Sequence, residues 1–411
     1  MKLHRYLFGL LVFLLPIQLG RHFWPEWTQV LGLPIDYLSP TIYLTDLLVF
    51  VILLFWLIET RSPLRLKKAV DWLKNNWWFL AIFLFLLVNA LLAPNKEAAI
   101  FKLAKVIEFV FLGFYVFKEQ YKINEIILPL SGAIIYSALI TLTQFIKQGT
   151  VGGLFWWLGE RNFSLITPGI AKTIIGGRLI LRPYATFPHP NVLAGFILVS
   201  MILIGLGIRR QGFRKVITWF ALILGGVAII FSFSRSVWLI SILVGLGLVI
   251  KNQWQKRRKS VLVIITIISL LLISGFYYQI ALPLSGRETV WQRFSLAQVA
   301  IKMIRANPLS GIGFNNFIPQ LPFYWQQFGT TYWLQPVHNI YLLILAETGF
   351  VGLLIFFWLL GLTFRRLLTT SSWQLILALS VVLSLGLFDH YWFTLQQSQL
   401  LLAIVFGLSW E

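Results

Sequence analysis

Apolar runs fill this chain, most of them about seventeen to twenty-five residues long, the length a helix needs to cross a bilayer. They fall at 5–20, 41–59, 77–93, 98–117, 126–146, 190–208, 216–233, 236–250, 260–280, 338–364, 373–388 and 394–410. The pattern predicts an all-α integral membrane protein with about twelve transmembrane helices. The first run, "MKLHRYLFGLLVFLLPIQLG", has the basic-then-apolar look of a secretion signal. It lacks a small-x-small cleavage site and further spans follow at once, so it reads as a span that stays in place.

Polar positions between the runs set the orientation. Basic clusters recur in every second connection: "RSPLRLKK", "RRQGFRK", "KNQWQKRRK" and the pair Arg365–Arg366. The positive-inside rule makes these connections and both termini cytoplasmic. The remaining connections then face outward, and two of them are long, 147–189 and 281–337. Long loops in compact proteins are usually functional. The first, rich in Gly, Pro and aromatics, reads as irregular structure at the outer interface, anchored by Trp156 and Trp157. In the second, Val290, Trp291, Phe294, Ala297, Val299, Ala300 and Ile304 recur at helical spacing. That predicts an amphipathic helix from Glu288 to Ile304, lying on the membrane or over a cavity. Asn307 and Pro308 stop it, and "SGIGFNNF" makes a turn. With no internal repeat or linker, residues 1–411 form a single transmembrane domain with an outward-facing cap.

Composition agrees with this pattern. Only 12% of residues are charged and 58% are hydrophobic, with a mean hydropathy of +0.81, whereas soluble chains carry about 25% charged residues. A net charge of +20 raises the question of nucleic acid. The location of the charge, on alternate connections, answers it by topology instead. The chain has no cysteine, which excludes disulfides, thiolate nucleophiles and zinc–thiolate sites.

Ionisable residues on the outward side are few. Arg182 opens "RPYATFPHPNVLAGF", with His189 held between Pro188 and Pro190 at the foot of the sixth span; the plainer reading is an interfacial anchor. Arg235 in "FSFSRSVW" sits between two apolar runs, where a guanidinium needs water or an anion. Arg287 and Arg293 flank Trp291, and an arginine fork matches phosphate oxygens, although a solvated helix face would also carry them. His338, followed by Asn339, heads a span; a neutral imidazole there can take a proton from an attacking hydroxyl or simply cap the helix. Glu347 lies nine residues further on, roughly 13 Å along the helix, and is expected to partner a buried Ser, Asn or arginine. Asn339, His189 and Glu347 therefore stand as supporting residues. There is no Asp-x-Asp pair, no His/Glu metal spacing, no P-loop and no GxSxG, so no metal and no cofactor are expected. Arginines plus one histidine describe a site for a diphosphate-bearing substrate.

The segments "LSPTIYLTDLL", "LRPYATFPHPNVLAGF", "FSFSRSVW", "GRETVWQRFSLAQVAIKMIRANPLSGIGFNNF" and "PVHNIYLLILAETGFVGLL", in this order, resemble the O-antigen ligase and polymerase superfamily. The resemblance implies a polytopic, GT-C-like, metal-independent inverting glycosyltransferase in a bacterial inner membrane, its site facing the periplasm. It would use an undecaprenyl-diphosphate-linked glycan as donor and a glycolipid such as lipid A-core, or another surface glycan carrier, as acceptor. It further implies that Arg235 and Arg287 hold the diphosphate and that His338 is the base, with Arg182 in a recurrent motif. O-antigen polymerases and protein O-oligosaccharyltransferases share the signature. A transporter of lipid-linked saccharides is the rival of a different class, expected to show midplane polar residues and related halves. Here the polar groups concentrate on the outward side.

Overall fold

The computed structural model describes residues 2–59, 76–205, 213–253, 286–325 and 333–410. Helices dominate. They are α1 (Leu3–Leu14), α2 (Leu44–Glu59), α3 (Trp78–Leu92), α4 (Lys96–Lys118), α5 (Ile123–Lys147), α6 (Pro190–Gly205), α7 (Phe213–Phe231), α8 (Arg235–Gln253), α9 (Gly286–Ala306), α10 (Phe317–Tyr324), α11 (Ile340–Thr369), α12 (Trp373–Leu385), α13 (Tyr391–Thr394) and α14 (Gln396–Ser409). A helix stands at each predicted span except 260–280, which lies outside the described residues. Among the described residues, Ile123–Lys147, Arg214–Phe231 and Ile340–Thr369 are long and apolar enough to cross a membrane by length and composition; Leu3–Leu14, Trp78–Leu92, Pro190–Gly205, Arg235–Leu248 and Trp373–Leu385 are shorter apolar helices.

The chain is not purely α. Short antiparallel pairs join β1 (Gly20–His22) to β4 (Thr41–Tyr43), β2 (Gln29–Val30) to β3 (Leu33–Pro34), and β5 (Lys172–Ile175) to β6 (Arg178–Leu181). The last pair corrects the expectation of irregular structure over 147–189. Gly176 and Gly177, both at positive φ, turn "KTII" back onto "RLIL". Trp156 and Trp157 lie in a short 3-10 helix, both exposed.

Pro190 starts α6 in its first turn, where a missing N–H costs nothing. Nearly every residue of α6 is buried, so it is apolar all round rather than on one stripe. Around it pack α5, α7, α12 and α14, with Gly195 lying so close to the Tyr391 ring that a Cβ would collide with it. A second core lies under α9. Leu296, Val299, Ala300 and Met303 face Phe317, Ile318 and Leu321 of α10, and Leu343 and Ala346 of α11. The amphipathic helix exists, and Val299 and Ala300 of the expected apolar stripe are buried, with Ala297 and Ile304 packed against the same core. Trp291 and Phe294 are exposed, while Leu296 and Met303 are covered by protein.

The connections between helices converge at one face. The Pro16 carbonyl accepts from the Thr186 hydroxyl, and the Trp27 carbonyl from the Asn95 side chain. Asn95 also exchanges hydrogen bonds with Asn316, and Asn339 donates to the Leu387 carbonyl. These are the connections that alternation places together, and the candidate site lies among them.

Candidate functional site

Asn339 caps α11, its side-chain oxygen accepting from the amides of Tyr341 at 2.9 Å and Leu342 at 3.0 Å. The cap is therefore Asn339 and not His338. Ile340 N donates to the Gly386 carbonyl at 2.8 Å, which docks the mouth of α11 onto the end of α12. His338 thus meets a pair that sequence reasoning passed over, Asp389 and His390. The His338 and His390 rings lie edge to face, centroids 5.3 Å apart. His338 Nδ1 is buried and has no hydrogen-bond partner.

Asp389 is the hub. One carboxylate oxygen accepts from its neighbour His390 N at 2.9 Å, the other from Asn191 Nδ2 at 3.1 Å. The Asn191 side-chain oxygen in turn accepts from Arg182 Nη2 at 2.8 Å, and Arg182 Nε donates to the Ser232 carbonyl at 2.9 Å. Asn191 N donates to His189 Nδ1 at 3.1 Å, which makes Nδ1 an acceptor and leaves the proton of the neutral ring on Nε2. His390 Nδ1 shares a 2.7 Å hydrogen bond with the Thr394 hydroxyl, and the Tyr37 ring stands edge-on to His390 at 5.5 Å.

Arg182 is half-buried, with its guanidinium Nε and Nη2 both hydrogen-bonded to protein. It ties the start of α6 to the turn Ser232–Ser234 between α7 and α8. In that turn Phe233 takes a positive φ, and the Ser232 hydroxyl accepts from Ser234 N. Arg235 follows at once, exposed, as the first residue of α8. Its cation stands at a helix start where amides already favour anions. From α9, Arg293 comes close enough to Arg235 for the two cations to repel, and its Nε is buried without a hydrogen-bond partner. Arg287 lies in the first turn of α9, with its side chain outside the described residues.

The charges shape the acidity of the site. Burial lowers His338 below its ordinary value and Arg293 lowers it further, with Asp389 pulling the other way. Burial and Arg182 bring His189 down to about 3, and burial brings His390 to about 3. Burial would raise the Asp389 carboxyl, but the histidines and Arg293 outweigh it and hold it well below the usual carboxylate range. Arg182 is brought down by burial to about 10 and so stays charged at neutral pH. The site therefore combines neutral imidazoles, one carboxylate and several guanidinium cations.

Glu347 does not reach this cluster. Its carboxylate accepts from the amides of Asn315 at 3.0 Å and Phe317 at 3.1 Å, pinning the turn after α9 to α11. Its partners are backbone amides and not the side chains expected. His338, Asp389 and His390 each present a possible ligand atom within 4.8 Å of the others, a grouping that spacing along the sequence did not reveal. Tetrahedral zinc with bonds of about 2.0–2.1 Å draws its ligands closer than that, and Arg293 and Arg182 add positive charge that opposes a dication. The signal that could have exposed the pair was "FDHYWF", two ionisable residues in the short gap between the last two apolar runs.

No curated protein matches the chain. Residues 220–357, the stretch holding Arg235, Arg287, Arg293, His338 and Glu347, match the O-antigen ligase family model, and this match supports the chain's place in the O-antigen ligase superfamily.

Proposed function

We propose that this membrane protein transfers a glycan from an undecaprenyl-diphosphate donor to a hydroxyl of a surface-glycan acceptor such as lipid A-core, at the periplasmic face of a bacterial inner membrane. The observation that carries the reading is the pairing of two unpartnered nitrogens among the converging connections: His338 Nδ1, a buried nitrogen of a half-buried imidazole beside Asp389, and Arg293 Nε, a buried guanidinium nitrogen. Buried polar atoms are normally hydrogen-bonded to protein or water, and a basic imidazole nitrogen and a guanidinium nitrogen without a protein partner in one cluster are a place where a ligand can complete the set.

In this reading His338 takes the proton of the acceptor hydroxyl as its oxygen attacks the anomeric carbon. The bond from that carbon to the phosphate oxygen breaks on the opposite side, so the configuration inverts. Undecaprenyl diphosphate leaves with the bonding electron pair. Arg235 and Arg293, joined by Arg287, take up its charge, the role a divalent metal fills elsewhere, so the reaction needs none. Asp389 stabilises the imidazolium that forms, and the proton then passes to water. Arg182 positions the Arg235 turn, because its Nε donates to the Ser232 carbonyl beside it and its Nη2 to Asn191. A mostly apolar cavity of about 260 Å³, with Lys102 and Glu347 also in its lining, supports the donor assignment. Tyr37 and Thr394, which both touch His390, line it together with Phe393 and Pro336, and it suits the first isoprene units beside the diphosphate.

The test is incubation of the purified protein with a lipid-linked glycan and a glycolipid acceptor. Glycan joined to acceptor, with undecaprenyl diphosphate released, supports the reading. Movement of intact donor across a liposome membrane without any new linkage would instead favour the transporter.

A further inference from the structure

A second cavity, of about 290 Å³, opens on the other side of the cap, between the outer end of α3, the turn after α9 and α10. Its floor is rigid. Asn89 donates to the Ser310 carbonyl at 2.6 Å and accepts from Phe314 N at 2.8 Å. Gly311 and Gly313 take positive φ, and a Cβ at either would strike Glu347 or Ala93, so the turn is clamped between α11 and α3. A preformed concave site of this kind is what ligands use.

The chemistry of the lining narrows the ligand. Among the described residues no charged side chain lines the cavity, so an anionic headgroup would find no cation. An acyl chain would displace water from the exposed Asn307 and half-buried Gln320 carboxamides without replacing its hydrogen bonds, at a cost in free energy. Asn307, Gln320 and Tyr324 line the cavity, Asn307 exposed and the other two half-buried. Each carboxamide both donates and accepts, matching hydroxyl pairs on a sugar ring, and the tyrosine adds an apolar face with a polar tip. Val88 and Leu92, 52% and 78% exposed, form the α3 rim of the cavity.

We infer that this cavity is a subsite for an uncharged sugar of a membrane-anchored glycan, a recognition site separate from the reacting centre. This rests on the glycan-transfer reading for which substrate arrives there. Asn307 follows Arg293 by fourteen residues at the far end of α9, about 21 Å along the helix, so the sugar bound here is remote from the bond that breaks. The cavity would then set how a long glycan is held and leave the chemical step alone.

The test uses the full chain in nanodiscs and the neutral oligosaccharide released by mild acid from the host's own lipid-linked glycan. Saturation-transfer NMR reads oligosaccharide binding, and titration with inorganic pyrophosphate reads the arginine site in the same sample. In Asn307→Ala/Gln320→Ala, oligosaccharide binding is expected to weaken by roughly tenfold or more, with pyrophosphate binding unchanged. KM for a multi-sugar donor should rise with it, and kcat for a single-sugar donor should hold. If the double variant loses its thermal unfolding transition, Tyr324→Phe, which removes one hydroxyl, carries the comparison. Oligosaccharide binding that is absent in the parent, or equal in parent and folded variants, overturns the subsite. Sugar binding that depends on Asn307 and Gln320 without any transfer activity would keep the subsite and reject the glycosyltransferase reading.

Discussion

At the scale of single residues the account turns on how Asp389, Arg293 and Asn191 bias His338. With its pKa lowered by burial and Arg293, His338 is neutral at neutral pH and gains its proton only below the ordinary 6.5. Transfer should therefore be flat near neutrality and fall on an acid limb centred below 6.5. Removing the cation in Arg293→Gln favours the protonated ring and should move that limb upward, a shift read from kcat/KM against pH. Stability follows the same sign. His189 and His390 are buried neutral, with values of about 3 against 6.5 when unfolded. Their contribution is complete above 6.5 and is lost as pH falls from there toward 3, so the thermal unfolding midpoint should decline over that window. Asn191→Leu leaves Asp389 and Arg182 each short of a partner and should cost about 1–3 kcal/mol, read by the same unfolding measurement. Much of this was legible. His338, Arg235 and Arg293 stand out as polar residues in apolar surroundings. Asp389 and His390 did not, because their partners Asn191 and His338 are distant in sequence and only docking of α11 on α12 brings them together.

Among the elements, the junction of α9 with α11 decides whether the cap sits over the site. Gly349 interrupts α11 with φ 65° and lies against the Leu309 carbonyl, while Gly311 lies against Glu347. Any Cβ at Gly349 must push the turn away, in a conformation that already disfavours side chains. Gly349→Ala should lower the unfolding midpoint and weaken pyrophosphate binding together, since α9 carries Arg293. Helical spacing showed that α9 exists but left its orientation open. The apolar stripe left open whether the helix lies on the membrane or over a cavity, and the packing of Leu296 and Met303 on α10, with Trp291 and Phe294 exposed, shows which part of it protein covers. The β5–β6 pair was readable, as two apolar runs joined by Gly176–Gly177, and the aromatic content around it hid the signal.

For the molecule as a whole, folding gathers connections that are far apart in the chain onto one face, so that residues from 182 to 390 share a single site. Charge alternation implied that grouping, and no single segment could have supplied its geometry. The absence of cysteine permits a direct check of orientation. A cysteine replacing exposed Leu154 should react with an impermeant maleimide from outside spheroplasts, and one replacing Arg365 only after permeabilisation. The central claim is that the converging connections build one transfer site in which His338 receives the acceptor proton. Single-turnover transfer from a lipid-linked glycan by His338→Ala, in protein that still binds pyrophosphate, tests it most directly. A loss of about 10²–10⁴-fold in the chemical step is expected, and transfer at the parent rate would contradict that role for His338.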